Sequence, residues 1–426
     1  MVANYSFKTW AAEIITDEDM NRMEQGIRGR VYHVDPAGLY GDFTTVQAAI
    51  DQCEADGGGT VFLMAGTYTV AASWTIQGHN IALVGEKGAI VKKANGLDDS
   101  VLDIGEVATQ RNHIVIRGIS FDGNKANQTG GTEDLKIVSA NDLVISNCYF
   151  YDAYLNAIGN GDYDSKNVWI EDNYFYNANQ HCVYLYYSTN DIVNVHITDN
   201  EMNGQGYSGV VIDCRNTSCG YAFVNGNQID MSASTSVAIA VIWTTNSPSN
   251  CVISGNGINN HTGVLSAIWA KWFDTVVKGN VINTCYNGIS VVERFVVSGN
   301  EIYNADNLGI NASTGNGVIT GNHIEKVGAH GINLATSNEV LISGNSIVDC
   351  SQDASNTYSG INMNTCTYCS ATGNHVTASG ATVHKYAVDE SGSKNHIVGN
   401  TSHGAGTNTI NKTGAGSQDS ANTGTV

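Results

Sequence analysis

The sequence predicts an all-β chain wound as a single-stranded right-handed parallel β-helix of at least a dozen rungs. Two observations predict it. An Asn-anchored motif recurs as ISNCYF, IEDNYF, ITDNEM, VNGNQI, ISGNGI, VKGNVI, VSGNEI, ITGNHI, ISGNSI, ATGNHV and IVGNTS, and its anchors run from Ile119 in a degenerate first copy to Asn400, about 25 residues a step. Some ten residues after most anchors comes a slot that is always β-branched: Ile158, Val183, Val210, Ile239, Ile268, Ile289, Ile310, Ile332, Ile361 and Val388. β-branched residues on an inward position, with the next residue pointing out, stack into the narrow core of parallel strands. A horseshoe would show a Leu-rich consensus and a propeller its Trp-Asp pairs, and neither is present.

The elements follow in order. Residues 1–33 lie outside the repeat; Thr16 and Asp17 precede DEDMNRMEQGI, where Met20, Met23 and Ile27 share a helical face. Residues 34–400 form the β-helix, opened by a capping helix near 44–56: Thr44 or Thr45 caps it, Val46, Ala49, Ile50 and Cys53 recur at helical spacing, and Gly57-Gly58-Gly59 ends it before a first strand at Thr60 to Leu63. Asn and Gly at the anchor suit a bend, where Gly accepts positive φ and stacked Asn side chains bond neighbouring backbone. Residues 401–426 are rich in Gly, Thr, Ser and Asn, and are expected to be a flexible tail or an edge cover.

Composition agrees with a solenoid: 47 Gly serve many bends, and only 2 Pro interrupt strands whose backbone donors are all needed. The net charge of -20 argues against nucleic acid and anionic membrane as partners. No apolar run is long enough to span a membrane, and the N-terminus lacks the pattern of a signal peptide. Most of the 10 cysteines, such as Cys148, Cys182 and Cys251, are expected as buried thiols; Cys214/Cys219 and Cys366/Cys369 are spaced for a local disulfide.

Aligning the rungs sorts outward residues into columns. One column reads Lys136, Gly159, Tyr184, Val211, Ala240, Trp269, Ser290, Asn311, Asn333, Asn362, Asp389. A second, two residues on, includes Tyr186, Asp213 and Lys271. Chemistry concentrates in the rungs of residues 181–272. His181, Tyr186, Arg215, Lys271, Asp162, Asp164 and Asp213 are the candidate catalytic residues. Tyr184, Trp243, Trp269, Trp272 and Glu293 are the candidate substrate-binding residues. Aromatic rings beside carboxylates and bases suit a sugar-binding groove, and they also suit a subunit interface. A hydrolase would use two carboxylates, such as Asp162 or Asp164 with Asp213. A uronate lyase would take its base and its carboxylate-neutralising group from Lys271, Arg215, His181 and Tyr186. No metal site is read from the sequence and no cofactor is required, with Ca2+ held by acidic loops as an option.

Two resemblances add to this. FKTWAAEIITDEDMNRMEQGIRG is similar to the short leader of many bacteriophage tail and receptor-binding proteins, with Ile15-Thr16-Asp17-Glu18 departing from the commoner Leu-Thr-Ala. VDPAGLYGDFTTVQAAIDQCEADGGGTVFLMAGTYTV resembles the N-terminal cap of the pectate-lyase-like superfamily, with Met64 in place of the usual Pro. That superfamily includes polygalacturonases, pectate and alginate lyases, mannuronan epimerases and phage tailspikes. The resemblances imply a polysaccharide depolymerase of the tailspike type on a virion tail or in the extracellular space, homotrimeric, with a tail partner for residues 1–33. A non-catalytic glycan-binding tail protein and a secreted uronate lyase or epimerase are the alternatives. The Asp triads of polygalacturonases and the calcium ligands of pectate lyases are not found, so the resemblance does not choose the reaction.

Overall fold

The structure, a computed structural model, describes residues 30–107, 109–161, 163–187, 191–215, 219–234, 236–242 and 249–425. The expected leader therefore falls almost wholly outside the described residues, as do Asp162 and Trp243. The chain winds as a right-handed parallel β-helix with three sheets, here called A, B and C, of 16, 15 and 14 strands. Each coil passes through A, B and C in turn. One coil, for example, runs Ser165–Glu171, Tyr174–Tyr176 and Val183–Tyr187.

The expected inward slot forms the wall of the core in sheet C: Ile158, Val183, Val210, Ile239, Ile268, Ile289, Ile310, Ile332, Ile361 and Val388 are register partners from coil to coil and fully buried. Burying each such side chain contributes about 2 kcal/mol. In sheet B the core begins with stacked Phe121, Phe150 and Phe175, whose centroids lie 4.9 and 5.0 Å apart.

The Asn anchors are the bends between sheets A and B. From Asn200 to Asn422, each anchor's Oδ1 accepts both the backbone N–H and the side-chain N–H of the preceding anchor; Asn280, for instance, accepts from Asn256 at 3.0 and 2.9 Å. Each anchor from Asn173 also donates inward to a strand carbonyl, as Asn280 does to Ile253 at 3.0 Å. The residue before the anchor is left-handed: Asp172, Asp199, Gly226, Gly255 and Gly279 have φ between 53 and 68°. That is why the motif reads Asp-Asn or Gly-Asn, since other side chains tolerate this conformation poorly. The bend leaves two residues between the A and B strands in every motif-bearing coil, from Glu171/Tyr174 to Ser420/Thr423, whereas the connections into and out of sheet C vary in length.

The N-terminal cap is a helix, Val46–Ala55, with Thr45 at its N-cap and Val46, Ala49, Ile50 and Cys53 buried on the first coil. Near this end Lys93 and Asp134 form a fully buried ion pair at 3.0 Å. Past Asn400 the sequence expectation fails. Strands Thr401–His403, Asn408–Lys412, Gln418–Ser420 and Thr423–Thr425 continue all three sheets. Their inward positions are filled by small or few residues such as Ser402 and Ala405, so the hydrophobic pattern was too weak to read. Cys53, Cys148, Cys182, Cys251, Cys285, Cys350, Cys366 and Cys369 are buried free thiols, and Cys214 is bonded to Cys219.

Candidate active site on sheet C

Strand register confirms the first outward column. Lys136, Gly159, Tyr184, Val211, Ala240, Trp269, Ser290, Asn311, Asn333, Asn362 and Asp389 are successive partners, about 4.8 Å apart. Tyr186 and Asp213 are partners in the second column.

Five of the expected residues meet at one place. The His181 ring stacks on Tyr184 at 4.9 Å and tilts against Tyr207 at 5.7 Å. Tyr184 lies parallel to Tyr186 at 6.2 Å. The backbone of Tyr186 is clamped by the Asn160 amide, which donates to its carbonyl and accepts its N–H, both at 2.6 Å. Arg215 lays its guanidinium 4.8 Å over the Tyr186 ring and donates to both oxygens of Asp213 at 3.4 and 3.0 Å. Asp213 is only 4% exposed, so the fork carries most of its hydrogen bonding.

Electrostatics assigns roles. Burial pushes the His181 imidazole down to about 4, so it is neutral at physiological pH. Its Nδ1 accepts the N–H of Ser208 at 3.2 Å, which leaves the proton on Nε2. In this tautomer the free ring nitrogen of His181 is a hydrogen-bond donor rather than an acceptor. Burial, then Asp213, raises the Tyr184 phenol, while Arg215 opposes the rise.

Downstream, Val211, Val237 and Ala240 form an apolar saddle between Tyr184 and Trp269. Beyond it Lys271 sits 4.2 Å over the Trp269 ring.

Three expected residues do not join the site. Trp272 is fully buried and donates from Nε1 to the Ile242 carbonyl at 3.2 Å. The strand alternation that points Trp269 and Lys271 outward turns Trp272 inward. Asp164 is an exposed turn former whose Oδ1 accepts the N–H of Asp191 at 2.9 Å. Glu293 occupies a left-handed turn, φ 62°, between sheets C and A, its carbonyl accepting from Asn316.

One further carboxylate beside the cluster was not singled out from the sequence. Glu133 folds its side chain over Gly159, filling the space a Cβ there would need, and its Oε1 accepts from Asn156 Nδ2 at 3.2 Å. Gly159 is the register partner of Tyr184, so Glu133 reaches the groove one rung before the aromatic cluster. The only signal was that Gly in an outward column otherwise filled by side chains. A shallow groove of about 410 Å³ lies elsewhere, on the outer face of sheet A among Val276, Val296, Val318, Asp274 and Arg294; it is open and its one lining ring, Phe295, is buried, so the sheet C cluster is the stronger candidate.

Comparison with solved structures fits this architecture. The pre-mature gene product 12 of bacteriophage phi29 superposes with a TM-score of 0.57 at 14% identity, over 96% of this chain and 57% of that one. The tailspike protein of E. coli bacteriophage HK620, in complex with a pentasaccharide, gives 0.54 at 15% identity, over 91% and 79%. The fold these proteins share with the chain is the parallel β-helix. The catalytic unit of the thermostable GH87 α-1,3-glucanase from Streptomyces thermodiastaticus gives 0.53 at 15% identity, over 67% and 62%. Residues 215–418 match the model of the periplasmic copper-binding protein family NosD. Among the described residues no group of three His, Cys, Asp or Glu is placed to hold a metal ion. No curated protein matches the sequence.

Proposed function

We propose that the protein is a polysaccharide depolymerase of the phage tailspike type, binding its glycan along the outer face of sheet C. The cluster of His181, Tyr184, Tyr186, Asp213 and Arg215 carries this reading. Parallel tyrosine faces suit the apolar faces of pyranose rings, and the groups beside them suit hydroxyls. For cleavage, two carboxylates flank Tyr184, with Glu133 one rung before and Asp213 one rung after. Two rungs amount to about 9.6 Å along the axis, close to the roughly 6.5–9.5 Å at which an inverting hydrolase holds water between acid and base. Hydrolysis is favoured over β-elimination on this reading. The free ring nitrogen of His181 is a donor in this tautomer, and Arg215 is already engaged by Asp213.

The test is incubation with alginate, polygalacturonate, dextran, α-1,3-glucan and purified bacterial capsule and O-polysaccharides, scored for new reducing ends and for unsaturated uronates. Reducing ends without unsaturation, abolished in both Glu133→Gln and Asp213→Asn, is the expected result. No product from any of them would sink the proposal.

A second reading, glycan binding without cleavage, is favoured by the near-complete burial of Asp213 under Arg215. Under it, Asp213→Asn retains polysaccharide and no variant turns it over. Both readings place the protein on a virion tail or outside the cell as a homotrimer, and a 45.2 kDa species in sedimentation would overturn the trimer.

A further inference from the structure

The polar half of the aromatic site is repeated six rungs downstream. His181 and Ser208 have counterparts in His330 and Ser359, each pair placed just before the sheet C strands of adjacent coils. The Nδ1 of His330 lies 3.0 Å from the N–H and 3.2 Å from the carbonyl of Ser359, which pins the ring, and Tyr358 packs edge-on against it at 5.2 Å. Burial pushes this imidazole down, opposed by its backbone partner Ser359 and then by Asp389, the register partner of Asn362 on the next coil.

Where the first site has tyrosines, this one has amides. Asn362 stands in the outward column between Asn333 and Asp389, yet it is only 7% exposed. It donates to Asn333 Oδ1 at 2.7 Å, but its own Oδ1 is buried with no hydrogen-bond partner, as is the Oγ of fully buried Ser359. Buried polar atoms are rarely left unpaired in a protein at rest. Two long connections beside them, 349–360 and 378–385, are tied together by Asn356 N–H to the Val383 carbonyl and Lys385 N–H to the Tyr358 carbonyl, each 2.7 Å.

We infer that His330, Ser359, Asn362 and Asp389 form a second glycan subsite, which holds the hydroxyls of the same polysaccharide chain that occupies the tyrosine cluster. A hydroxyl both donates and accepts, which matches an orphan acceptor, an orphan serine and an imidazole. An anion would meet Asp389, and a cation would find a single carboxylate. The distance from Tyr184 to Asn333 is six strand spacings, about 29 Å, so a polymer bridges the two sites and a short fragment does not.

The inference rests on the groove reading above, and the test separates them. Affinity electrophoresis in gels containing the same panel of polysaccharides compares the parent, Tyr184→Ala and Ser359→Ala/Asn362→Ala, with melting temperatures confirming the fold; Ser359→Ala alone serves if the double variant does not fold. Linked sites gain affinity by effective concentration, so each variant is expected to weaken polymer retention about tenfold or more. Parent-like retention by the Ser359 variants beside a weakened Tyr184→Ala overturns the second subsite and leaves the groove standing. Retention unaffected by Tyr184→Ala, or absent for every polysaccharide, overturns both.

Discussion

Arg215 reaches back two residues along its own chain to donate to both oxygens of Asp213, and in doing so covers the Tyr186 ring. One side chain thus orders a buried carboxylate and an aromatic face together. Replacing it by Ala leaves Asp213 nearly buried and short of donors. Because Arg215 is itself partly exposed, the expected loss is about 1–3 kcal/mol rather than the full cost of a buried pair. Arg215→Lys keeps the charge but not the fork and recovers only part of it. Thermal melts of the two variants measure the difference.

The anchors predict a different kind of sensitivity. Asn280→Ala strips the acceptor from two N–H groups of Asn256 and a donor from the Ile253 carbonyl, all buried. Each orphaned group costs about 1–3 kcal/mol, so this exposed-looking turn residue is expected to destabilise the chain as much as a core truncation. Urea unfolding followed by circular dichroism reports it.

Trp269 and Trp272, three residues apart, are expected to respond oppositely. Trp272→Ala opens a cavity in the core and costs about 3–5 kcal/mol. Trp269→Ala leaves the melting temperature nearly unchanged and weakens polysaccharide retention. A loss of stability at Trp269 with none at Trp272 would contradict the assigned faces.

Acid is expected to weaken the fold through three buried imidazoles, which outnumber the one carboxyl, Asp134, that burial pushes up to about 6 and that opposes them as pH falls. His181, His196 and His384 are each pushed by burial to about 4, below the ordinary 6.5. Between those values the unfolded chain binds protons that the folded chain refuses, so stability falls as pH drops from about 6.5 to 4 and is largest above that window. Asp56, held at about 2 by Arg30 and Tyr32, loses its contribution only lower, between about 3.8 and 2. Melting temperatures taken from pH 8 to 4 should therefore decline, and a flat profile would refute the neutral buried imidazoles.

Much of this was legible because a solenoid repeats its errors as well as its rules. Ten β-branched slots fixed the direction of every neighbour, so the column through Tyr184, Trp269 and Asn333 could be written down from spacing. The same alternation places Trp272 inside, but a run of aromatic and charged residues looked like surface. Glu133 lies in a connection whose path depends on tertiary packing, and no period reaches it. Asp164 was read by charge alone, whereas its carboxylate is used up by a turn. The last coil escaped because Thr, Ser and Asn give no hydrophobic signal, although Asn422 takes its place on the ladder.

The two-residue bend between sheets A and B has a consequence for how such a molecule can change. Since each anchor bonds only to the anchors beside it and to a strand carbonyl of the rung before, that edge acts as a spine of constant gauge. Length added or removed in the connections to sheet C is not transmitted past the rung that carries it. The outer face of sheet C can be recut one coil at a time without renegotiating the fold.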